Sequence, residues 1–360
     1  MAGQKFTELR SHKPQPILRD FEKVQRANQQ IKQVRAELGT TEFSRRTFQQ
    51  NTTITTTQRN PIALFGAGLI DSIPERVIEE AAKKKFKEFP EIQGRVCRLK
   101  DGRIGRFGWK AQKASLYDFA MTACAVELGL HVPDHPQSGL PLNPEYKPTG
   151  LDMNQTECNA LVDYLKALPV PIQTMSSNKK EAEYLSEGRH LFSSTGCAAC
   201  HTPQLGEVAG IYSDLLLHDI GQDMVDTGEY GVFLPSSSPD EDIEKIELPL
   251  ADAETSEGTT PNQKVKTKTQ IVGARRAEWR TPPLWGIRDS APYLHDGRAQ
   301  TLKQAIAFHG GEGKDSAIRF FSLTPQQQQQ IVAFLKSLTA PGLQQPAAVH
   351  SEKLLSRTRR

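Results

Sequence analysis

Cys197 and Cys200 stand in the segment Gly196-Cys197-Ala198-Ala199-Cys200-His201, and C-x-x-C followed at once by His is the pattern for covalent attachment of a c-type haem. Two thiols three positions apart on one helical turn can each form a thioether with one vinyl group of a single porphyrin. The adjacent His201 then offers an imidazole nitrogen to the iron as proximal ligand. A thioredoxin-like redox pair would need a preceding strand in a βαβ pattern, and a structural zinc site would need a second ligand pair; the sequence supplies neither. Cys97, Cys124 and Cys158 are scattered singletons and read as buried structural thiols.

Elements must position these groups. Residues 181–192, EAEYLSEGRHLF, read as a short amphipathic helix with Leu185, Gly188 and Leu191/Phe192 on one face, suited to close crossing with another helix. The closing helix is announced by Thr324 as N-cap, Pro325 at the first helical position and Gln327 at N3. Ile331, Val332, Phe334, Leu335 and Leu338 then recur at helical spacing until Pro341. A sixth iron ligand is expected from the stretch ahead of that helix. His295 and His309 both lie there, Met224 is the thioether rival, and His218 and His295 have an alternative role as hydrogen-bonding residues.

Three matches indicate an internal repeat. Residues 161–168, LVDYLKAL, match 331–338, IVAFLKSL; RNPIALFG at 59–66 matches RTPPLWG at 280–286; and Trp109 precedes Leu116 as His295 precedes Leu302. Their common order points to tandem duplication. The expected architecture is mainly α, two cytochrome c-like helical domains in tandem with long loops. The divisions are a helical arm at 1–55, an incomplete domain at 56–170 lacking CxxCH, a linker at 171–180, a haem domain at 181–340 and a tail at 341–360. An insert near 226–274, rich in Ser, Pro, Gly and acidic residues over 235–262, reads as a flexible surface loop. In the arm, Phe21, Val24, Ile31 and Val34 form the apolar stripe of a polar helix, expected to pack on a missing part of the molecule. The run Lys83-Lys84-Lys85 is expected on a solvated helix face.

The composition narrows the function classes. In 360 residues, 45 Lys plus Arg against 42 Asp plus Glu leave a formal charge of +3, which argues against a nucleic-acid arm or an acidic tail. No apolar run reaches membrane-spanning length, and the first residues have no apolar signal-peptide core. Covalent haem attachment takes place outside the cytoplasmic membrane, so a periplasmic or cell-envelope location is expected. The plain N-terminus then reads as a missing beginning.

The segments GRHLFSSTGCAACHTP, SDLLLHDIG, EWRTPPLWGIRDSAPYLHDGRAQTLKQAIAFHGGEG and IVAFLKSL, in this order, resemble the bacterial di-haem oxidoreductase family, peroxidase-like proteins related more distantly to di-haem cytochrome c peroxidases. RNPIALFGAGLIDSIP and GRFGWKAQKASLYDFAMTACAVELGL are similar to the N-terminal domain of that family. The chain departs from the pattern in having one CxxCH where the family carries two. The resemblance implies electron transfer through one haem c here and peroxidase-type chemistry in the complete protein, with a redox protein, a small electron donor or peroxide as partner. The alternative is a non-catalytic mono-haem carrier. The resemblance also implies His309 as distal ligand, Trp109 as a tryptophan between haems, and a calcium ion that some relatives hold between the domains. Arg280 and Arg298 are candidate partners for haem propionates, and Trp279 and Trp285 are expected to pack in the haem domain.

Overall fold

The computed structural model describes residues 16–38, 44–49, 52–135, 137, 147–173, 176–225, 245–249 and 267–342. The described chain is mainly helical, with six small two-stranded antiparallel ribbons and long connecting loops.

The head helix α1 (Pro16–Ala36) buries Ala27, Ile31 and Val34, spaced four and three apart, while Val24 is exposed. These three side chains join the core of the C-terminal half with Phe192, Leu302, Phe320 and Phe321. The helix therefore packs on elements of this chain rather than on a missing part. It also ties down the loop behind it: Arg35 donates from Nε to the Ala307 carbonyl at 2.6 Å and pairs with Asp223 at 2.5 Å.

The first half contains α2 (Ala67–Ser72), α3 (Glu75–Ala82), α4 (Leu116–Val126) and α5 (Gln155–Lys166). Ile70, Ile78, Leu116, Met121, Cys124, Cys158, Val162 and Leu165 from these helices close one core. The expected burial of Cys97, Cys124 and Cys158 is seen, and burial pushes the Cys97 thiol up to about 12. The lysine run is exposed, but α3 ends at Ala82 and Lys83 is its C-cap, so the run lies past the helix. Trp285 also belongs to this first core, against the expectation that it packs in the haem domain.

The second half contains α6 (Lys179–Ser194), α7 (Cys197–Cys200), α8 (Leu302–Ala307), α9 (Lys314–Ser322) and α10 (Pro325–Lys336). On α6 the buried face is Gly188, Leu191 and Phe192, with Leu185 half-buried. It crosses α10 so closely that a Cβ on Gly188 would collide with the backbone carbonyl of Gln330 and lie 3.0 Å from Phe334 Cβ. Phe192, Tyr212 and Phe334 pack mutually, with ring centroids 5.4–6.2 Å apart. α10 stops at Lys336 with Ser337 as C-cap, short of Pro341, because Leu338–Thr339 switches to a strand. That strand pairs with Ile172–Gln173, so part of the expected linker is a ribbon that returns to the end of α10. In the insert, Lys245–Pro249 pairs antiparallel with Thr267–Ile271, whereas most of residues 235–262 lie outside the described residues.

The matched segments of the two halves meet each other. Gly66 and Gly286 both adopt left-handed backbone, and a Cβ on Gly66 would come within 2.6 Å of the Trp285 ring, while a Cβ on Gly286 would strike the Phe65 ring. Trp109 and His295, the second matched pair, lie edge to face at 6.4 Å.

Candidate haem-attachment site

Gly196 links α6 to α7, and only a residue without Cβ fits there. Its φ is 97°, and a Cβ would lie 2.6 Å from both the Phe89 ring and Ser316 Oγ. The turn places Cys197 and Cys200 on one face of α7, with His201 as the C-cap. Both thiols are half-buried and reduced; burial pushes Cys197 up to about 11 and raises Cys200 as well, so both are protonated at neutral pH. Thr195 Oγ1 lies 3.4 Å from Cys197 Sγ. The first half contributes to this wall, since Phe89 and Ile92 cluster with Ala199 and Cys200.

The structure brings His201 and His309 together. Their ring centroids are 6.4 Å apart. His201 Nδ1 hydrogen-bonds the Tyr212 carbonyl at 3.0 Å and His309 Nδ1 the Ala305 carbonyl at 2.9 Å. Each Nδ1 therefore carries the proton, which leaves each Nε2 with a free lone pair, the tautomer that metal ligation requires. Desolvation pushes His201 down to about 4 and lowers His309, so both rings are neutral near pH 7. A metal–imidazole bond is about 2.0–2.1 Å long, so two rings sharing one ion should have centroids on the order of 6 Å apart, as found. The pair fits a bis-imidazole iron.

The other candidates occupy different places. His295 is buried, stacks on Trp279 at 3.7 Å and makes a T-shaped contact with Trp109 at 6.4 Å. Met224 packs with Trp279 and Phe308, and its carbonyl accepts from Trp279 Nε1 at 2.9 Å. His218 is buried between two carboxylates, Asp214 Oδ2 at 2.9 Å from Nε2 and Glu312 Oε2 at 2.7 Å from Nδ1, with Cys200 Sγ 3.5 Å from Nδ1. Burial alone would lower its pKa, but the charge and hydrogen bond of Asp214 together with those of Cys200 outweigh it, and His218 stands well above its ordinary value. Asp214 and Glu312 were not singled out from sequence. Asp214 lies four residues before His218 in SDLLLHDIG, a spacing that could have flagged it; Glu312 is distant in the chain and left no such signal.

Of the two arginines, Arg280 is fully buried, donates to the Gly108 carbonyl at 2.8 Å and to the Thr281 carbonyl at 3.4 Å, and has no carboxylate within ion-pair distance among the described residues. Burial lowers it to about 10. Arg298 is already engaged by the buried Asp296 at 2.5 Å and by the Asp223 carbonyl. Trp109 is half-buried at the seam of the two halves, donating from Nε1 to the Asn60 carbonyl at 2.8 Å. Among the described residues no helix is long and apolar enough to cross a membrane.

Comparison with known proteins gives matching relatives. Hydrazine synthase subunit gamma of Kuenenia stuttgartiensis is 30% identical over 187 residues, 50% of this chain and 48% of that protein. Methylamine utilization protein MauG of Methylorubrum extorquens is 26% identical over 159 residues, 43% of this chain and 33% of MauG. Cytochrome-c peroxidase IdrP2 of Pseudomonas sp. is 36% identical over 67 residues, 18% of each chain. The chain thus spans about half or less of the length of these relatives. Residues 266–338, which hold His309 and α10, match the family "Di-haem oxidoreductase, putative peroxidase", and the resemblance to the di-haem oxidoreductases read from the motifs is supported at the level of the family.

Proposed function

We propose that this chain is a c-type haem redox protein of the di-haem oxidoreductase type, which attaches one haem through thioethers at Cys197 and Cys200 and holds its iron between His201 and His309. The observation that carries the reading is the neighbouring imidazole pair, ring centroids 6.4 Å apart, each with Nδ1 tied to a backbone carbonyl. Haem c, when bound, supplies a one-electron couple.

The residues of this chain do the rest. The Tyr212 and Ala305 carbonyls orient the two rings and keep the proton on Nδ1. Phe192, on the buried face of α6, sits 6.4 Å from the His201 ring and keeps water from that side. Arg280 offers a buried cation for a propionate. Were a haem held there, His201 and His309 would be the residues given to its iron, and the chemistry it would supply at this half is one-electron transfer rather than reduction of peroxide. Trp109, at the seam and edge-on to His295, is the relay residue between the halves. The partner is a redox protein or small electron donor, and the site of action is the periplasm or cell envelope, where thioether attachment takes place.

Expression with the haem-attachment machinery is expected to yield a pyridine haemochrome spectrum of one c-type haem per chain. Absence of covalent haem refutes the site. His309→Ala should convert a low-spin spectrum to high-spin, and an unchanged spectrum removes His309 as the distal ligand. Rapid peroxide turnover by the loaded chain alone would overturn the reading of this half as an electron-transfer site.

A further inference from the structure

Lys83, Lys84, Lys85 and Lys87 crowd into the segment that follows α3, and all four side chains are exposed. Among the described residues none of the four makes an ion pair. Like charges this close repel, so their backbone must be held by other contacts. Phe86 and Phe89, interleaved with the lysines, cluster with Ile92 and with Ala199 and Cys200 of the attachment helix α7. The Phe89 N–H donates to the Phe86 carbonyl at 3.2 Å and the Ile92 N–H to the Phe89 carbonyl at 3.1 Å, which gives two consecutive turns.

The second half adds a cation. Arg319 of α9, itself exposed, sets its guanidinium 4.4 Å from the Phe89 ring centroid and donates from Nη2 to the Glu88 carbonyl at 3.1 Å. Glu88 is the single acidic residue in 83–89. The chain as a whole carries only +3, so this concentration of positive charge is local. The phenylalanines that present the lysines outward reach Cys200 inward, so a molecule seated on the lysines lies one layer of side chains from the attachment point.

We propose that Lys83, Lys84, Lys85 and Lys87, with Arg319, form the docking surface for an acidic electron-transfer protein. The proposal rests on the haem reading above for the electron's destination; the surface itself rests on the exposed cations fastened to α7. Carboxylates of the partner meet the ammonium groups, and the half-buried Phe86 supplies apolar contact. One electron leaves the partner's reduced cofactor and converts ferric haem to ferrous, with no atom or proton transferred. The nearly balanced charge of the chain offers no extended basic stripe of the kind that binds nucleic acid.

The probe is flavodoxin, a strongly acidic one-electron donor. Its oxidised form, labelled with fluorescein, is titrated into the full haem-loaded chain and followed by anisotropy, and its fully reduced form is mixed with the ferric chain in stopped flow. Saturable binding is expected at low ionic strength. Changing all four lysines to Glu should make binding about tenfold weaker and haem reduction about tenfold slower. Changing them to Gln should give a smaller loss of both and keeps the test open if charge reversal upsets folding, which circular dichroism reads. These differences should vanish at about 1 M salt, where the Debye length is about 3 Å. Reversing the exposed Lys147, Lys179, Lys180 and Lys336 alters net charge equally and should leave both readouts near wild type.

Absence of saturable binding overturns the proposal. So do equal losses in the second set of lysines, which means that net charge alone attracts the probe. Weaker binding with an unchanged rate of haem reduction also overturns it, because the electron then enters elsewhere. Lysine-dependent binding to vesicles of anionic phospholipid, with none to flavodoxin, overturns it in favour of a membrane surface. Haem loading is read separately as the pyridine haemochrome, and the anisotropy titration needs no haem, so failure of the haem reading and failure of the docking surface appear in different measurements.

Discussion

α5 and α10 are capped in the same way, are of equal length and run into similar sequence, LVDYLKAL at 161–168 and IVAFLKSL at 331–338, yet one presents its Tyr164 to solvent where the other hides Phe334 completely. Their local structure is the same because capping and propensity are local. Their energetic roles differ because burial is decided by the neighbour: α10 has α6 across its outer face, whereas α5 rests on its inner face alone. A helix motif therefore reports a capacity for packing, and the partner determines whether that capacity stabilises the fold.

The largest expected effect breaks this comparison directly. Truncating Phe334 to Ala removes a ring in contact with Phe192 and Tyr212, which should cost about 3–5 kcal/mol. Truncating Tyr164 to Ala, at the matched position, should change stability by no more than about 0.5 kcal/mol. Urea denaturation of the two variants measures both. Equal losses would mean that the outer face of α5 is covered in solution, and a negligible loss for Phe334→Ala would contradict the α6–α10 crossing.

A second comparison concerns how the halves are joined. Arg95 of the first half grips Glu278 of the second through Nε at 2.8 Å and Nη2 at 2.5 Å, and Glu278 also accepts from the Arg275 backbone N–H at 2.7 Å. Burial alone would raise the Glu278 carboxyl, but the Arg95 hydrogen bonds, the Arg275 backbone N–H and the charges of both arginines together hold it below its ordinary value of 4.5. A carboxyl with a depressed folded-state pKa adds stability above its unfolded value and loses it as the pH falls through the folded one. Glu278→Gln should therefore cost about 1.5–3 kcal/mol at pH 7. Its deficit relative to wild type should shrink as the pH drops below 4.5. A deficit that persists undiminished at low pH would show that the carboxylate charge is not what joins the halves.

The parts of the molecule that were legible in the sequence are those written in local spacing. The helix around Gly188 and the capped closing helix both follow from residues within one or two turns of each other. The misreadings share a different origin. Trp285 was assigned to the haem half by proximity in sequence, but it packs into the first core against Gly66, a long-range contact that periodicity cannot report. Val24 was placed on the stripe of α1, whereas Ala27 takes that position; a small side chain carries little hydropathic signal even when it marks the close approach. Arg280 and Arg298, both candidate propionate partners, stand in different surroundings: the buried Asp296 engages Arg298, while Arg280 donates to the Gly108 and Thr281 carbonyls. The packing of Phe89 and Ile92 against Ala199 and Cys200 is another long-range contact that local spacing does not report.

The smallest expected effect tests the other side of the comparison, that the two closing helices are locally alike. Asn154 accepts from the backbone N–H groups of Thr156 and Glu157, with Glu157 returning a bond to the Asn154 N–H at 2.8 Å; Thr324 and Gln327 repeat the exchange at 3.3 and 3.1 Å. Each cap satisfies donors that the first helical turn leaves open, and this benefit depends on the cap rather than on what covers the helix. Asn154→Ala and Thr324→Ala should therefore each cost about 1 kcal/mol and agree within a few tenths, although the helices they cap differ so widely in burial. If Asn154→Ala costs much less than Thr324→Ala in matched denaturation curves, α5 frays at its N-terminus. The equivalence would then extend to sequence alone, with the packing of α6 stabilising the first turn of α10 as well as its outer face.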